Sequence, residues 1–176
     1  MKKTLLLTLL VSFLSFYGFS QDPKYGVRAG MNISNMDFEP DANFTNQHRN
    51  GLMIGFFGEF HLSKTLLLAP ELQWSSEGAK AEELRIDYIQ VPVLLKFQLG
   101  NKFLLGFGPQ VGVKVHEFED GFKNFGYSGV GGLEFKLSHQ LFLDARYTYG
   151  FANVLDDDLG LEAKNTNIQF GFGFKF

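Results

Sequence analysis

The sequence predicts an all-β protein, an eight-stranded antiparallel up-and-down barrel that crosses a membrane. Apolar and polar residues alternate with a period of two in eight segments, which is the pattern of strands with one apolar face. The connections between these segments are alternately short and long. Glycine and phenylalanine supply 20 and 21 of the 176 residues. This composition argues against a helix bundle, and the length fits one domain.

Residues 1–20 are predicted to be a cleaved signal peptide, and residues 21–176 the barrel domain. Lys2 and Lys3 open the chain, an apolar run follows, and small residues stand one and three positions before a cut at Gln21. The apolar run is shorter than the about 20 residues that a membrane anchor needs. Loss of both lysines lowers the formal charge from −3 to −5. This acidic balance argues against nucleic acid as a partner.

The eight predicted strands follow one another from Tyr25 to the last residue. In the final segment Ile168, Phe170 and Phe172 alternate with polar residues and glycine, and the same period holds in the other segments. Past Gln21 every apolar run is too short to form a spanning helix. The predicted strands are 25–34, 52–62, 66–76, 88–99, 103–115, 125–137, 141–151 and 167–176.

The connections predict that the barrel lies in the outer membrane of a Gram-negative bacterium. An even number of strands with short turns on one side puts both termini on that side. Outer-membrane barrels have this arrangement, with periplasmic turns and longer external loops, so both termini are expected in the periplasm. The short turns are 63–65, 100–101 and 138–140, and the long loops are 35–50, 77–87, 116–124 and 152–167.

The direction of the apolar face distinguishes this barrel from a soluble, lipocalin-like cup. One parity is crowded with Phe, Leu, Ile and Tyr, whereas the other holds glycines and long charged side chains. Because an eight-stranded lumen is only wide enough for packed side chains, the bulky parity is expected to face lipid. Two aromatic girdles are predicted, from Tyr25, Phe60, Phe97, Phe103, Phe135, Phe174 and Phe176 near the turns and from Trp74, Tyr127, Tyr147 and Tyr149 near the loops.

Three prolines interrupt the predicted strands. Pro70, Pro92 and Pro109 lack the N–H that a strand ladder uses, and a closed barrel has no edge strand to accommodate them. We therefore expect a β-bulge at each proline.

Charged residues of both signs are predicted to pack inside the barrel. In so narrow a lumen they are expected to pair, and removing one partner of a buried pair costs about 3 to 5 kcal/mol. The alternative is an ion-selective ring in a porin-like channel. The inward charges are Arg28, Lys96, Lys114, Lys136, Arg146 and Lys175 with Glu59, Glu71, Glu134 and Asp144.

The expected lumen charge network takes seven of these residues. Its members are Arg28, Glu59, Glu71, Lys96, Glu134, Asp144 and Arg146. Counting residues up from the turns predicts the neighbours within it. These are Arg28 with Glu59, Lys96 with Glu71, and Arg146 or Lys136 with Glu134 and Asp144.

The sequence offers no constellation that points to catalysis or to a bound metal. Cysteine is absent, which excludes a thiolate site. A catalytic rim would need a loop histidine beside a loop aspartate; the candidates are His48 or His116 with Asp120 or Asp156, all more simply explained as solvated residues. The acidic run 156–158 lacks the spaced ligands of a calcium loop. We predict no enzymatic activity, cofactor or metal.

Five short segments of the chain together carry a family pattern. They are 26–35, 70–78, 88–96, 106–109 and 147–150, of which Pro-Glu-Leu from Pro70 and Val-Pro-Val-Leu-Leu-Lys up to Lys96 are the most specific. The chain resembles the PorT-like outer-membrane barrel family. The resemblance implies an eight-stranded barrel and, for the PorT subgroup, a part in protein export by the type IX system. Two residues depart from the pattern: Trp74 replaces the usual Tyr, and Gln90 stands where the family often has an acid.

The sequence therefore predicts a small integral outer-membrane barrel with a closed, charge-packed lumen and a structural or surface-interaction role. Its partners are expected to be membrane lipid and surface lipid or a protein at the acidic external loops. The alternative is an accessory role in type IX export. Alternating aromatic residues at the C-terminus resemble the signal that the barrel assembly machinery recognises; they are Phe172, Phe174 and Phe176.

Overall fold

The computed structural model describes residues 23–39, 47–117, 123–155 and 162–176, so the predicted signal peptide lies outside the described residues. The described residues form eight strands and a 3-10 helix at Glu82–Leu84. The strands are β1 (Lys24–Glu39), β2 (Arg49–His61), β3 (Leu66–Gly78), β4 (Arg85–Leu99), β5 (Phe103–Glu117), β6 (Phe125–Lys136), β7 (Leu141–Gly150) and β8 (Glu162–Lys175).

The eight strands form a closed barrel. Each strand pairs antiparallel with the next one along the chain, and β1 pairs with β8. Val27, for example, lies opposite Phe56 on one side and Phe174 on the other. The predicted up-and-down barrel is confirmed. We call the end that carries the short connections and residue 176 the turn end, and the opposite end the loop end.

The outward side chains of the strands are apolar and exposed, whereas the inward ones are polar and buried. Val27, Ile54 and Phe170 point outward and are 44 to 58 % exposed, but Arg28 and Glu71 point inward and are at most 4 % exposed. This is the reverse of a water-soluble protein, in which charged groups are almost never fully buried. The apolar parity therefore faces outward, as the sequence predicts. Among the described residues no helix is long and apolar enough to cross a bilayer.

The aromatic residues predicted near the turns meet one another on the outer surface. Tyr25 meets Phe60 edge to face with ring centroids 6.4 Å apart, and Phe103 contacts Phe135 at 5.0 Å. Such edge-to-face or tilted pairs stabilise beyond the apolar area that they cover. The rings lie on the outer surface near the turn end, where the sequence predicts an aromatic girdle.

Several strands extend beyond their predicted bounds at the loop end. β1 continues to Glu39, β4 begins at Arg85, and β8 begins at Glu162. In these extensions the alternation reverses, because Met36 and Phe38 point inward and are buried while Asp37 is exposed. The strand thus changes from apolar-out to apolar-in where it leaves the apolar belt. A strand prediction that requires apolar residues on the same face throughout therefore ends where this reversal begins.

The prolines do not produce the expected bulges. Each proline lies in a local gap of a ladder, and the pairing resumes in the same register on both sides. The one register shift in these ladders falls between Asp87 and Tyr88 instead. Because neighbouring strands are held on both sides in a closed barrel, a missing N–H is tolerated as a lost bond without inserting a residue.

Candidate functional site

A closed ring of ion pairs fills the lumen near the turn end. Lys96 lies 2.7 Å from both Glu59 and Glu134, and Lys175 lies 2.9 Å from Glu59 and 2.6 Å from Glu134. We call these residues the lower cluster. Its two ammonium groups and two carboxylates balance in charge, and all four side chains are nearly inaccessible to solvent.

A second ring of ion pairs, the upper cluster, lies farther from the turns. Arg28 contacts Glu71 at 3.1 Å and Asp144 at 3.0 Å, and Arg146 contacts the same acids at 2.8 Å and 2.9 Å. Charge-assisted hydrogen bonds of this kind are about twice as strong as neutral ones. Arg28 also donates to the side-chain oxygens of two buried residues, Gln73 and Gln169.

Both clusters obtain their members from alternating strands. The lower cluster uses β2, β4, β6 and β8, whereas the upper cluster uses β1, β3 and β7. In a barrel whose strands are tilted and staggered, inward side chains at one height come from every second strand. The register of the sheet therefore sorts the charges into two layers.

The structure brings all seven predicted network residues into the lumen, yet with different partners from those expected. Arg28 contacts Glu71 and Asp144 instead of Glu59, and Lys96 contacts Glu59 and Glu134 instead of Glu71. Counting up from the turns failed because it matched adjacent strands and ignored their stagger. Arg146 does contact Asp144. Lys175 joins the lower cluster, whereas Lys114 and Lys136 face inward, are half-buried and lie outside both clusters.

Apolar side chains pack against the lower cluster and close the lumen at the loop end. The rings of Phe57 and Phe142 meet edge to face at 5.6 Å beside the lower cluster, and the ammonium of Lys175 lies 4.7 Å from the centre of the Phe142 ring. At the loop end a buried apolar plug is formed by Met36, Phe38, Ala79, Ile86, Tyr88, Val154, Leu155 and Ala163. Sequence reasoning missed the plug, although the reversed phase in β1 and β4 signals it.

Little empty space remains between the plug and the lower cluster. The cavities between the two clusters and in the polar layer above them have volumes of about 10 and 30 Å³. Below the lower cluster, a recess at the turn end has a volume of about 400 Å³, and Glu59 and Lys175 contribute to its lining. A single water needs roughly 10 to 15 Å³ by this measure. The described side chains therefore leave no continuous passage along the barrel that is wide enough for a hydrated ion.

The loop end carries a recess with basic character. Its volume is about 650 Å³, and its lining includes Arg49, Lys80 and Arg85. Lys80 donates to Gln47, and Arg85 lies 3.4 Å from the exposed carboxylate of Glu82. This arrangement offers several cationic donors on one side of the barrel mouth.

The histidines show no paired catalytic arrangement in the described part of the chain. His48 forms a bridge with Ala79 beside the basic recess, and His116 is exposed near the end of β5. The candidate partners Asp120 and Asp156, and the acidic run 156–158, lie outside the described residues. Among the residues that are described, no group of three or more His, Cys, Asp or Glu is placed to hold a metal.

The C-terminal aromatics lie on the outer surface of β8 and just beyond it. Phe172, Phe174 and Phe176 are all exposed, and the ring centroids of the last two are 6.4 Å apart. The backbone N–H of Phe176 donates to the carbonyl of Tyr25 at 2.9 Å, so the final residue still belongs to the seam that closes the barrel.

Comparison with known proteins agrees with this architecture. The family described as outer membrane protein beta-barrel domain matches residues 6–176. Comparison with the curated proteins finds no match. Similar solved structures include Ail, the attachment invasion locus protein of Yersinia pestis, at 14% identity and a TM-score of 0.56, over 89% of this chain and 100% of that one.

Two further solved barrels have the same fold. Neisserial surface protein A is 10% identical with a TM-score of 0.57, over 89% of this chain and 99% of that one. The N-terminal β-barrel domain of Pseudomonas aeruginosa OprF is 11% identical with a TM-score of 0.50, with 89% and 99% covered. Ail has also been solved with the heparin analogue sucrose octasulfate. The family match extends over nearly the whole chain, so this protein belongs to the outer membrane protein beta-barrel domain family.

Proposed function

We propose that this protein is a closed, non-enzymatic surface barrel rather than a channel. The observation that carries the proposal is the filled middle of the lumen, in which two neutral ion-pair clusters and the rings of Phe57 and Phe142 lie below the apolar plug. A pore needs a continuous polar path along its axis. At the cell surface, the part of the barrel that remains available for contact is the loop end.

Planar bilayer recording tests the closed lumen. The purified barrel is expected to insert without discrete conductance steps, while a porin added to the same bilayer serves as positive control. Stable conductance steps from the barrel alone, with insertion verified by protease protection, would reject a closed lumen.

The basic recess supports a contact with anionic groups at the cell surface. Arg49, Lys80 and Arg85 line it together, and lysine and arginine at a surface attract anionic lipid. Exposed acids stand beside them at Glu82 and Glu83, where divalent cations can bridge to anionic lipid. The role is therefore a surface interaction at the loop end, in which the recess supplies cations and the loops supply acids.

Binding of sucrose octasulfate to the detergent-solubilised barrel tests this contact. Calorimetry is expected to show binding that weakens as salt rises and that is lost in the double variant Lys80→Ala, Arg85→Ala. The matched control changes Lys64 and Lys102 to Ala at the turn end, which should retain binding. Equal binding by both variants would exclude the recess.

A second candidate role is accessory action in type IX protein export. It is supported by the segments 70–78 and 88–96, whose residues resemble PorT-like proteins. A deletion strain is then expected to retain export cargo in its periplasm, and the chain supplied in trans should restore secretion. Normal secretion in the deletion strain would reject the export role, and the surface role would remain as the proposed function.

The aromatic C-terminus is proposed to be recognised by the barrel assembly machinery. Phe172, Phe174 and Phe176 present an unbroken apolar stripe on the last strand. Deletion of Phe176 is expected to slow insertion, measured as the fraction of pulse-labelled chain that becomes heat-modifiable. Phe125→Ala, an exposed aromatic at the loop end, is the control, and equal rates for both variants would count against the signal.

The turn end is proposed to face the periplasm, with both termini there. The support is the length of the connections, because outer-membrane barrels keep their short turns inside. Single cysteines at His139 and at Glu83 test it with a membrane-impermeant maleimide. In intact cells only the cysteine at position 83 should be labelled. Labelling of the cysteine at position 139 instead would show that the turn end faces outward.

A further inference from the structure

Above the upper cluster the lumen holds a carboxylate with an unusual environment. Glu77 lies at the end of β3 and is 1% exposed. Its Oε1 accepts hydrogen bonds from Ser75, Gln90 and Asn167, and its Oε2 accepts one from Asn165. All four donors are neutral, so the carboxylate is hydrogen-bonded but not compensated in charge.

Glu77 differs in this respect from the other buried acids. The four carboxylates of the two clusters each contact two cations at 3.1 Å or less. In the described part of the chain no cationic group forms an ion pair with Glu77. Arg49 donates to the backbone oxygen of Glu77 and lies 3.5 Å from Asp87, so its charge is directed to another acid. A buried carboxylate without a counter-charge is costly, and it requires a proton or a bound cation.

Oxygen atoms without partners surround this carboxylate. Asn165 Oδ1, Asn167 Oδ1 and Thr148 Oγ1 are buried and lack a hydrogen-bond partner, although Asn165 and Asn167 use their amide nitrogens on Glu77. Thr148 pairs with Asn167 across β7 and β8, which brings their inward side chains together. Amide and hydroxyl oxygens that receive no donor are the ligands that hard cations prefer.

A small cavity lies beside Glu77 and two of these residues. It has a volume of about 30 Å³, and Glu77, Thr148 and Asn165 all line it. Glu77 Oε2 accepts only one hydrogen bond, whereas each carboxylate oxygen has two lone-pair sites. The residues that line the cavity therefore carry one open site on the carboxylate of Glu77 and two unpartnered neutral oxygens, on Thr148 and Asn165. A water would fill the space, but it would leave the charge of Glu77 unbalanced.

We propose that the cavity binds a monovalent cation of sodium size, held by Glu77, Asn165 and Thr148. One positive charge neutralises the carboxylate, and the neutral oxygens complete the coordination. A divalent ion would leave a net positive charge in a buried place, which is costly. The bound ion ties β3, β7 and β8 together beneath the apolar plug.

Thermal unfolding of the folded barrel in zwitterionic detergent tests the site. Wild type is compared in sodium chloride, potassium chloride, calcium chloride and choline chloride at matched ionic strength, with unfolding followed by the heat-modifiable gel shift. At a sodium concentration a hundredfold above Kd, Tm is expected to rise by about 5 to 10 °C over choline. Glu77→Gln should lose this rise, and Glu83→Gln, which removes the same charge from the exterior, should keep it.

A milder variant and a direct measurement support the same test. Thr148→Val keeps the shape of the side chain but removes one ligand, so it should need more sodium for the same rise in Tm. Crystals grown in sodium chloride should show density beside Glu77 Oε2 that is absent from crystals grown in choline chloride. The proposal is overturned by equal Tm in sodium and choline, by a rise retained in Glu77→Gln, by a rise with calcium alone, or by the same density in both crystals.

Discussion

Arg28 illustrates how a charge is accommodated inside a lumen without water. Its guanidinium reaches two carboxylates and two amide oxygens, which leaves few of its donors without an acceptor. The fork of five N–H groups allows this, whereas a lysine ammonium would offer only three donors. The upper cluster depends on this geometry, so loss of any one acid affects both arginines.

Replacement of Glu71 by Gln is therefore expected to be strongly destabilising. Glu71 accepts from both Arg28 and Arg146, and its neutralisation leaves a buried positive charge. The free energy of unfolding should fall by about 3 to 5 kcal/mol, measured by urea titration of the barrel in lipid vesicles. The exposed Glu83→Gln serves as control, and a loss below about 1 kcal/mol at Glu71 would mean that the cluster relaxes or hydrates.

Glycine provides the space that the clusters occupy. A Cβ added at Gly171 would collide with the carboxylate of Asp144 and crowd the guanidinium of Arg28, whereas one added at Gly126 would meet nothing within 4 Å. Both glycines lie on inward positions of their strands. Small residues at defined inward positions thus make room for the large charged ones.

Gly171→Ala is expected to destabilise the barrel by about 1 to 3 kcal/mol, the usual range for an overpacked interior. Gly126→Ala should be neutral or slightly stabilising, because it only restricts the unfolded chain. Urea unfolding of the two variants beside wild type provides the measurement. Equal losses would show that backbone effects, and not contact with Asp144, decide the outcome.

At the scale of the element, β1 records the passage from lipid to water. Its outward residues are apolar from Tyr25 to Ile33, and they are polar at Asn35 and Asp37. The apolar stretch is close to the 9 to 11 residues of a membrane-spanning strand, whereas the whole strand has 16 residues. The remainder therefore projects beyond the membrane and buries its own apolar face in the plug.

Because only part of β1 lies in the membrane, an added charge on its outward face is expected to cost stability at one position and not at another. Ala29→Arg introduces a charge in the middle of the apolar belt and should cost about 2 to 4 kcal/mol. Asp37→Arg on the same outward face, beyond the belt, should cost little because it stays in water. Folding titrations in vesicles measure both, and a comparable cost at the two positions would show that β1 does not leave the membrane near Ile33.

At the scale of the whole molecule, the distribution of polar and apolar side chains decides in which environment, water or lipid, the fold is stable. Exposed apolar side chains surround the barrel, among them Leu52, Phe107, Val111 and Phe172. Soluble monomers rarely expose apolar patches above a few hundred Å², and this belt is continuous around the barrel. The interior contains the charges that a soluble protein would place outside.

The chain without residues 1–20 is therefore expected to aggregate in buffer without detergent and to fold as a dispersed barrel in micelles or vesicles. Analytical ultracentrifugation and the heat-modifiable gel shift report both states. A folded, dispersed monomer in plain buffer would contradict the outward orientation of the apolar face.

The sequence by itself determined the number of strands, their order and the face that meets lipid. These properties are local, since a period of two and the length of each connection are read within a few residues. The alternation of an apolar Phe170 with a polar Gln169, for example, already indicates which side chain points outward and which points inward.

Only the tertiary structure decided which charges meet and where the strands end. Ion-pair partners such as Lys96 and Glu134 are set by the tilt and stagger of a closed sheet, a global property that no segment encodes alone. The extension of β1 past Ile33 depends on Met36 and Phe38 finding apolar partners on other strands and on the loop at Val154. Such contacts exist only once the barrel has closed.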